Sequence, residues 1–164
     1  NIEKLLILGE ESLKEADFAD PFENITNGYH IHLDYSSEQE QTALLVLENF
    51  IVFLFTEGIN PTNIRIYEPK VNGPHVERGW EVKFLTADKE ILYNIGIVTA
   101  WLMCNRRGLP IMIHSVTWKD GDIKEELKAH RDYTMFIDKL PELDLSFFSA
   151  KIDAAQAAMS SGLK

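Results

Sequence analysis

At 164 residues and 18.8 kDa, with 45% hydrophobic and 26% charged residues, the chain has the size and balance of a single globular domain with a sizeable core. A net charge of −10, with lysines and arginines scattered along the chain, excludes a phosphate-backbone binder, so no nucleic-acid partner is expected.

Residues 2–16 set Leu5, Leu6 and Leu8 among Glu and Lys and read as a marginal helix, followed by a loop to Asn27-Gly28. The first residues show no basic segment leading into an apolar run, and the chain has one cysteine, so a reducing, cytoplasmic location is expected. Residues 29–35, YHIHLDY, then alternate as a strand with two different faces. Tyr29, Ile31, Leu33 and Tyr35 point one way, and His30, His32 and Asp34 the other. Two imidazoles two residues apart on a strand have Cα atoms roughly 6.5–7 Å apart on one face, which suits two ligands reaching for one ion.

Ser36 or Ser37 supplies an N-cap for a helix to about Glu57, with Gly58 as its left-handed stop. This most apolar stretch, residues 42–59, is interrupted by Glu48, Asn49 and Glu57, so it reads as a buried helix and not a membrane span. Residues 50–55 are apolar nearly all round, more than one sheet face needs, and predict a second cover, either the N-terminal segment or a partner subunit as in a homodimer. Residues 63–67 form a second strand, 71–75 a turn, and 80–85 a third strand with Trp80, Val82 and Phe84 opposite Glu81 and Lys83. Residues 87–107 form a second helix capped by Arg106-Arg107 and stopped at Gly108, with Cys104 packed in the core. A fourth strand follows at 109–114, with Met112 and His114 on one face, then a short helix at 122–129, a fifth strand at 133–137 and an Ala-rich helix at 150–159.

The order βαββαβ predicts an α+β, ferredoxin-like fold: a four-stranded antiparallel sheet under two helices, plus a fifth strand and terminal helices. The expected organisation is a single domain with an N-terminal extension (1–27), a core (28–148) and a C-terminal tail (149–164). Parity then sends His30, His32, Glu81 and His114 to the sheet face opposite the helices, with His75 and His130 at the rim and Asp34 nearby. A strand histidine taken alone is more often a hydrogen-bonded or half-exposed residue than a ligand. The agreement of three from two strands is what singles out a joint site. Imidazole with carboxylate suits Zn, Fe, Cu or Ni, and two His with one carboxylate suits non-haem Fe(II). Three His would serve zinc as well. The three tryptophans read as packing, and Ser115, Ser146 and Ser149 lack any visible base.

The segments bearing the histidines resemble the DOPA 4,5-dioxygenase-like family. They are Tyr29-His30-Ile31-His32, Gly73-Pro74-His75 before Trp80-Glu81-Val82-Lys83-Phe84, Arg107-Gly108-Leu109-Pro110-Ile111-Met112-Ile113-His114, and Ala129-His130 leading to Tyr133. That resemblance spans about residues 28–148 and implies a mononuclear non-haem metal, Fe(II) first and Zn second, with a catechol and O₂ as substrates of extradiol ring opening. It implies metal ligands among His30, His75, His114 and Glu81, and acid–base work by His32 and His130. Tyr29, Asp34, Trp80 and Tyr133 are the expected substrate contacts. The chain departs from the family's pattern with His114-Ser115 in place of His-Pro, Ala129-His130 in place of Asp-His, and Phe136-Ile137-Asp138 in place of Trp-x-Gly. Two other readings share these residues: a non-catalytic domain holding a metal and a small aromatic, and a non-oxidative lyase or isomerase step.

Overall fold

The computed structural model describes residues 28–85, 89–117, 122–139 and 141–161. Strand β1 (Tyr29–Tyr35) is buried on both faces from His30 onward. A strand buried on both sides must lie inside a sheet covered above and below. It does: the order is β2-β3-β1-β4-β5, with β2 (Ile64–Lys70), β3 (Arg78–Phe84), β4 (Ile111–Ser115) and β5 (Thr134–Ile137), and all neighbours are antiparallel. This is the expected ferredoxin-like arrangement, with the fifth strand added at the free edge of β4.

Helices α1 (Glu40–Thr56) and α2 (Lys89–Asn105) cover one face. Beneath them Ile31, Leu33, Val82, Phe84, Ile111 and Ile113 join Val46, Phe50, Leu54, Val98 and Leu102 in one core. Burying each of these side chains contributes about 1.5–3 kcal/mol. Trp80 belongs to this layer: its ring stacks on Phe50 and its Nε1–H donates to the Ala43 carbonyl at 3.0 Å. Ser36 begins the helical segment in extended conformation, and its N–H donates to Gln39 Oε1 at 3.2 Å. At the other end of α1, Gly58 at φ +71° donates to Phe55 O and Ile59 N–H to Leu54 O, the paired bonds of a left-handed helix stop. On the outside of α1, Val52 and Phe55 remain 64% and 61% exposed, so the excess apolar surface read from the sequence is not covered by any other described element of the chain.

Helices α3 (Ile123–Asp132) and α4 (Ser146–Ser161) pack on each other, and α3 lies against β4 and β5. They cover part of the opposite face, where His130 of α3 meets His114 of β4 at 4.2 Å between ring centroids and rests on buried Phe148 of α4. The sequence reading ended the third helix at Ala129. The helix continues through His130 to Asp132, opened by Asp122, whose carboxylate accepts the Glu125 N–H at 3.2 Å.

Cys104 corrects an expectation: it is exposed. Among the described side chains of α2 the buried ones are Val98 and Leu102, one helical turn apart, and a residue two places beyond Leu102 falls on the far side of the helix. The proposed N-terminal helix and Trp118 lie outside the described residues. Among the described residues no helix is long and apolar enough to cross a membrane.

Candidate metal centre

The register of the central strands writes the site across the sheet. His30 stands directly opposite His114 on β4 and opposite Lys83 on β3; one pleat along, His32 stands opposite Glu81 and Met112. Because side chains repeat every second residue, all of these share the face away from α1 and α2. His75 enters from the β2–β3 connection and His130 from the last turn of α3. All five histidines of the chain are thus at one place, each between 1% and 9% exposed.

The ring nitrogens are oriented from behind. His75 Nδ1 donates to Asp34 Oδ2 at 2.7 Å, and His30 Nδ1 faces Glu81 Oε1 at 3.2 Å. His114 Nδ1 donates to the Ser115 carbonyl at 3.2 Å, and His130 Nδ1 to the Glu126 carbonyl at 2.9 Å. An imidazole that donates from Nδ1 to oxygen is, when neutral, an acceptor at Nε2. Such oxygen partners on the remote nitrogen fix the tautomer of metal-binding histidines. His32 Nε2 lies 3.1 Å from His114 Nε2, a distance that requires a shared proton or cation once His114 carries its hydrogen on Nδ1. Among the described residues, none gives the buried His75 Nε2 a hydrogen-bond partner. Potential ligand atoms converge within 4.8 Å in two groups of three, His30/His32/His114 and His32/His75/His130, so His32 is common to both. This donor set could hold a transition-metal ion.

A family model described as the Dopa 4,5-dioxygenase family matches residues 29–147, the segment carrying every one of these histidines. The chain belongs to the Dopa 4,5-dioxygenase family. A crystal structure from Nostoc punctiforme, provisionally described as a dioxygenase, is similar in fold at a TM-score of 0.59 and 23% identity, covering 81% of this chain and 98% of that one. No curated protein matches the chain.

In this Dopa 4,5-dioxygenase family member His30, His32, His114 and His130 are held neutral. Burial lowers the pKa of His30 to about 2, helped by the Lys83 ammonium, and that of His130 to about 4. Burial and the neighbouring imidazoles also push His32 and His114 well below 6.5. Neutral nitrogen is the form that ligates. The Glu81 carboxyl is raised by burial, against the pull of Lys83. Its Oε1 faces Lys83 Nζ at 3.2 Å as well as His30, and Oε2 accepts from Asn72 Nδ2 at 2.7 Å.

The residues expected at the site are therefore not all brought together. Asp34 is at hand, but it backs His75. Glu81 is adjacent to the histidines and engaged by three donors, and it belongs to neither group of three. Trp80 and Tyr29 point to the helix-covered face, as their strand parity with Leu33 and Phe84 requires, so the sheet itself separates them from the histidines. Tyr133 is 49% exposed beside Met103 and Met135, in a crevice at the β4–β5 edge. Trp80, Tyr29 and Tyr133 do not line the histidine cleft, whose walls include residues not singled out from sequence: Arg65, Tyr67, Asn72, Val116, Phe147 and Lys151. They line a cleft of about 730 Å³ that opens onto His30, His32, His75 and His130. Arg65 and Tyr67 share the parity of Lys83 and Glu81 and were legible in principle; Phe147 and Lys151 reach the cleft only through the docking of α4.

Proposed function

We propose that the protein is a metal-dependent, extradiol-type dioxygenase that opens a catechol ring with O₂. The observation that carries this reading is the cluster of five buried imidazoles, four with Nδ1 facing an oxygen partner and so with Nε2 as the nitrogen that can ligate an ion or accept a proton. His30, His32 and His114 are the proposed holders of the ion, since they stand on the adjacent central strands β1 and β4, the most rigid support available. Fe(II) is the metal of this reading, although the same donors would accept zinc. When bound, it would supply a Lewis acid for the two catechol oxygens and an electron donor toward O₂.

The remaining tasks fall to the chain. His75 takes the proton of a catechol hydroxyl at Nε2, and the Asp34 carboxylate behind Nδ1 stabilises the imidazolium that results. His130, kept neutral, accepts a hydrogen bond at Nε2 and orients the second hydroxyl. This exchanges the roles read from the sequence, where His75 ligated and His32 moved protons: a carboxylate behind His75 suits a base, and membership of both nitrogen groups suits His32 to the ion. Glu81 becomes the group that orients His30. Overall, one ring carbon–carbon bond breaks and both oxygen atoms enter the product, with no external reductant.

Metal analysis of anaerobically purified protein, followed by oxygen-electrode traces with a panel of catechols, tests the proposal. Stoichiometric iron with catechol-dependent O₂ uptake and a yellow ring-opened product is expected, and both should be lost in His30→Ala and His114→Ala. Zinc without O₂ uptake, or unchanged turnover in both variants, would overturn it.

A further inference from the structure

Strand β5 extends the sheet past β4, and Met135 stands opposite Ile113, so it turns to the face that α1 and α2 cover. Met135 is nonetheless 45% exposed and Met103 of α2 62%, so α2 leaves this edge of the sheet bare. Between helix and strand runs a groove of about 620 Å³, with Ile95, Ala100 and Met103 on one wall and Tyr133 and Met135 on the other. Its one charged lining residue among those described, Asp132, is already paired with Arg131. An open apolar groove with no free charge fits an apolar occupant.

We propose that the occupant is the chain's own segment ahead of β1, residues 18–27, with Phe22 and Ile25 seated against Met103 and Met135. The inference does not depend on the ring-opening reading. Tyr29, the first residue of β1, lines the groove, so the chain reaches the strand at the groove's rim. The strand does not run on past that point: Gly28 has φ +95°, in the region that favours glycine, and its carbonyl accepts the Val116 N–H at 2.8 Å. From Ile95 to Met103 the groove follows α2 for roughly 12 Å, at about 1.5 Å per residue. Extended chain covers about 3.3 Å per residue, so Ile25, four places before Tyr29, can reach about 13 Å and Phe22 about 23 Å. Both spans match or exceed the groove. The segment offers three large apolar side chains, Phe18, Phe22 and Ile25. Tethering beside the groove gives it an effective concentration on the order of millimolar, which a second copy, repelled by its own net charge of −10, does not match. Tyr29 stands opposite Ser115, and each is the neighbour of a site histidine, His30 and His114, so the groove lies directly behind that end of the site.

Methyl-selective NMR of the full chain tests this. Nuclear Overhauser contacts between the Ile25 δ1 methyl and the ε methyl of Met103 or Met135 are expected, within one copy and unchanged on dilution. Phe22→Ser should shift the Met103 and Met135 resonances through loss of the ring's field. Ala100→Glu, at an exposed position of the groove wall, should abolish the Ile25 contacts by setting a charge there. Met112, buried on the other face of β4, should keep its resonance in both variants and so report an intact fold. Absent contacts, contacts that survive Ala100→Glu, or methionine resonances unmoved by Phe22→Ser would each overturn the proposal. Contacts seen only between differently labelled copies in a mixed sample would overturn it too, and would give the groove to a second copy.

Discussion

Replacing Gly79 by alanine is expected to damage the centre from behind. Gly79 of β3 is paired with Asp34 of β1, and a Cβ added there would lie 2.6 Å from Asp34 Oδ1 and 2.6 Å from the Leu33 carbonyl oxygen. The carbonyl belongs to the central strand and cannot retreat without disturbing the β1–β3 ladder. The Asp34 carboxylate can turn away only by releasing His75, which its other oxygen holds at 2.7 Å. Overpacking costs about 1–3 kcal/mol and a lost charge-assisted hydrogen bond about 1.5–3 kcal/mol. Because one movement relieves the first by incurring the second, the two are not additive, and a total near 3 kcal/mol is expected. For a chain of this size that corresponds to roughly 6–12 °C in Tm. Urea unfolding of Gly79→Ala gives the magnitude, and the imidazole Nδ1–H resonance of His75, protected in the parent, reports the bond itself. Gly96→Ala is the control. Gly96 is in the middle of α2 with nothing within 4 Å of an added Cβ, so the same substitution there should stabilise by about 0.5–1 kcal/mol. A Gly79→Ala protein as stable as the parent and with the His75 signal intact would refute the reasoning.

The metal-free protein should lose stability on acidification. His30, His32, His114 and His130 all have folded pKa values below 6.5, so below that pH the unfolded chain binds protons the folded chain refuses. Each such histidine lowers stability by up to about 1.4 kcal/mol per pH unit, for His130 down to a pH of about 4. Glu81, raised above 4.5, works in the opposite sense just above that value. Urea midpoints after chelation should therefore fall between about pH 7 and pH 5.5, and a flat profile would show that the imidazoles are not held neutral. Glu81→Gln keeps the shape of the side chain but removes the charge facing His30 and Lys83; metal affinity should fall about 10–100-fold with unchanged circular dichroism, and unaltered affinity would dismiss an orienting role for Glu81. Trp80→Phe should cost about 1–2 kcal/mol in urea unfolding through its lost bond to Ala43 while metal stoichiometry stays the same, since the sheet separates Trp80 from the histidines; a loss of metal would contradict that placement.

What was legible in the sequence is what strict period-2 alternation encodes. The pattern of residues 29–35, 80–84 and 111–114 assigns each side chain to a face, and a face fixes His30, His32, Glu81 and His114 together. The Gly58 stop was equally legible, because a left-handed residue at a helix end has few substitutes. Local pattern fails where position depends on docking. His75 sits in a connection whose path is set by residues far along the chain, and His130 joins the site because α3 runs through it. Cys104 was misplaced because an apolar run does not reveal which side of the helix turns inward. Trp80 and Tyr29 were expected near a substrate because they lie in the segments that carry the family resemblance, against their own parity.

The connection that carries His75 is closed by the far end of the chain. His75 bridges to Leu143, Val76 N–H donates to Glu142 O, and Asp144 N–H donates to Pro74 O at 2.7 Å. These bonds join segments separated by nearly half the sequence, with β3, β4 and β5 between them. The entropy of closing so large a loop must be met before any of them contributes. Until residues 142–144 are in place the connection that carries His75 lacks these bonds, so a nascent or partly folded chain could hold an ion on His30, His32 and His114 before its proposed base is set, and turnover, not metal uptake, would mark finished folding.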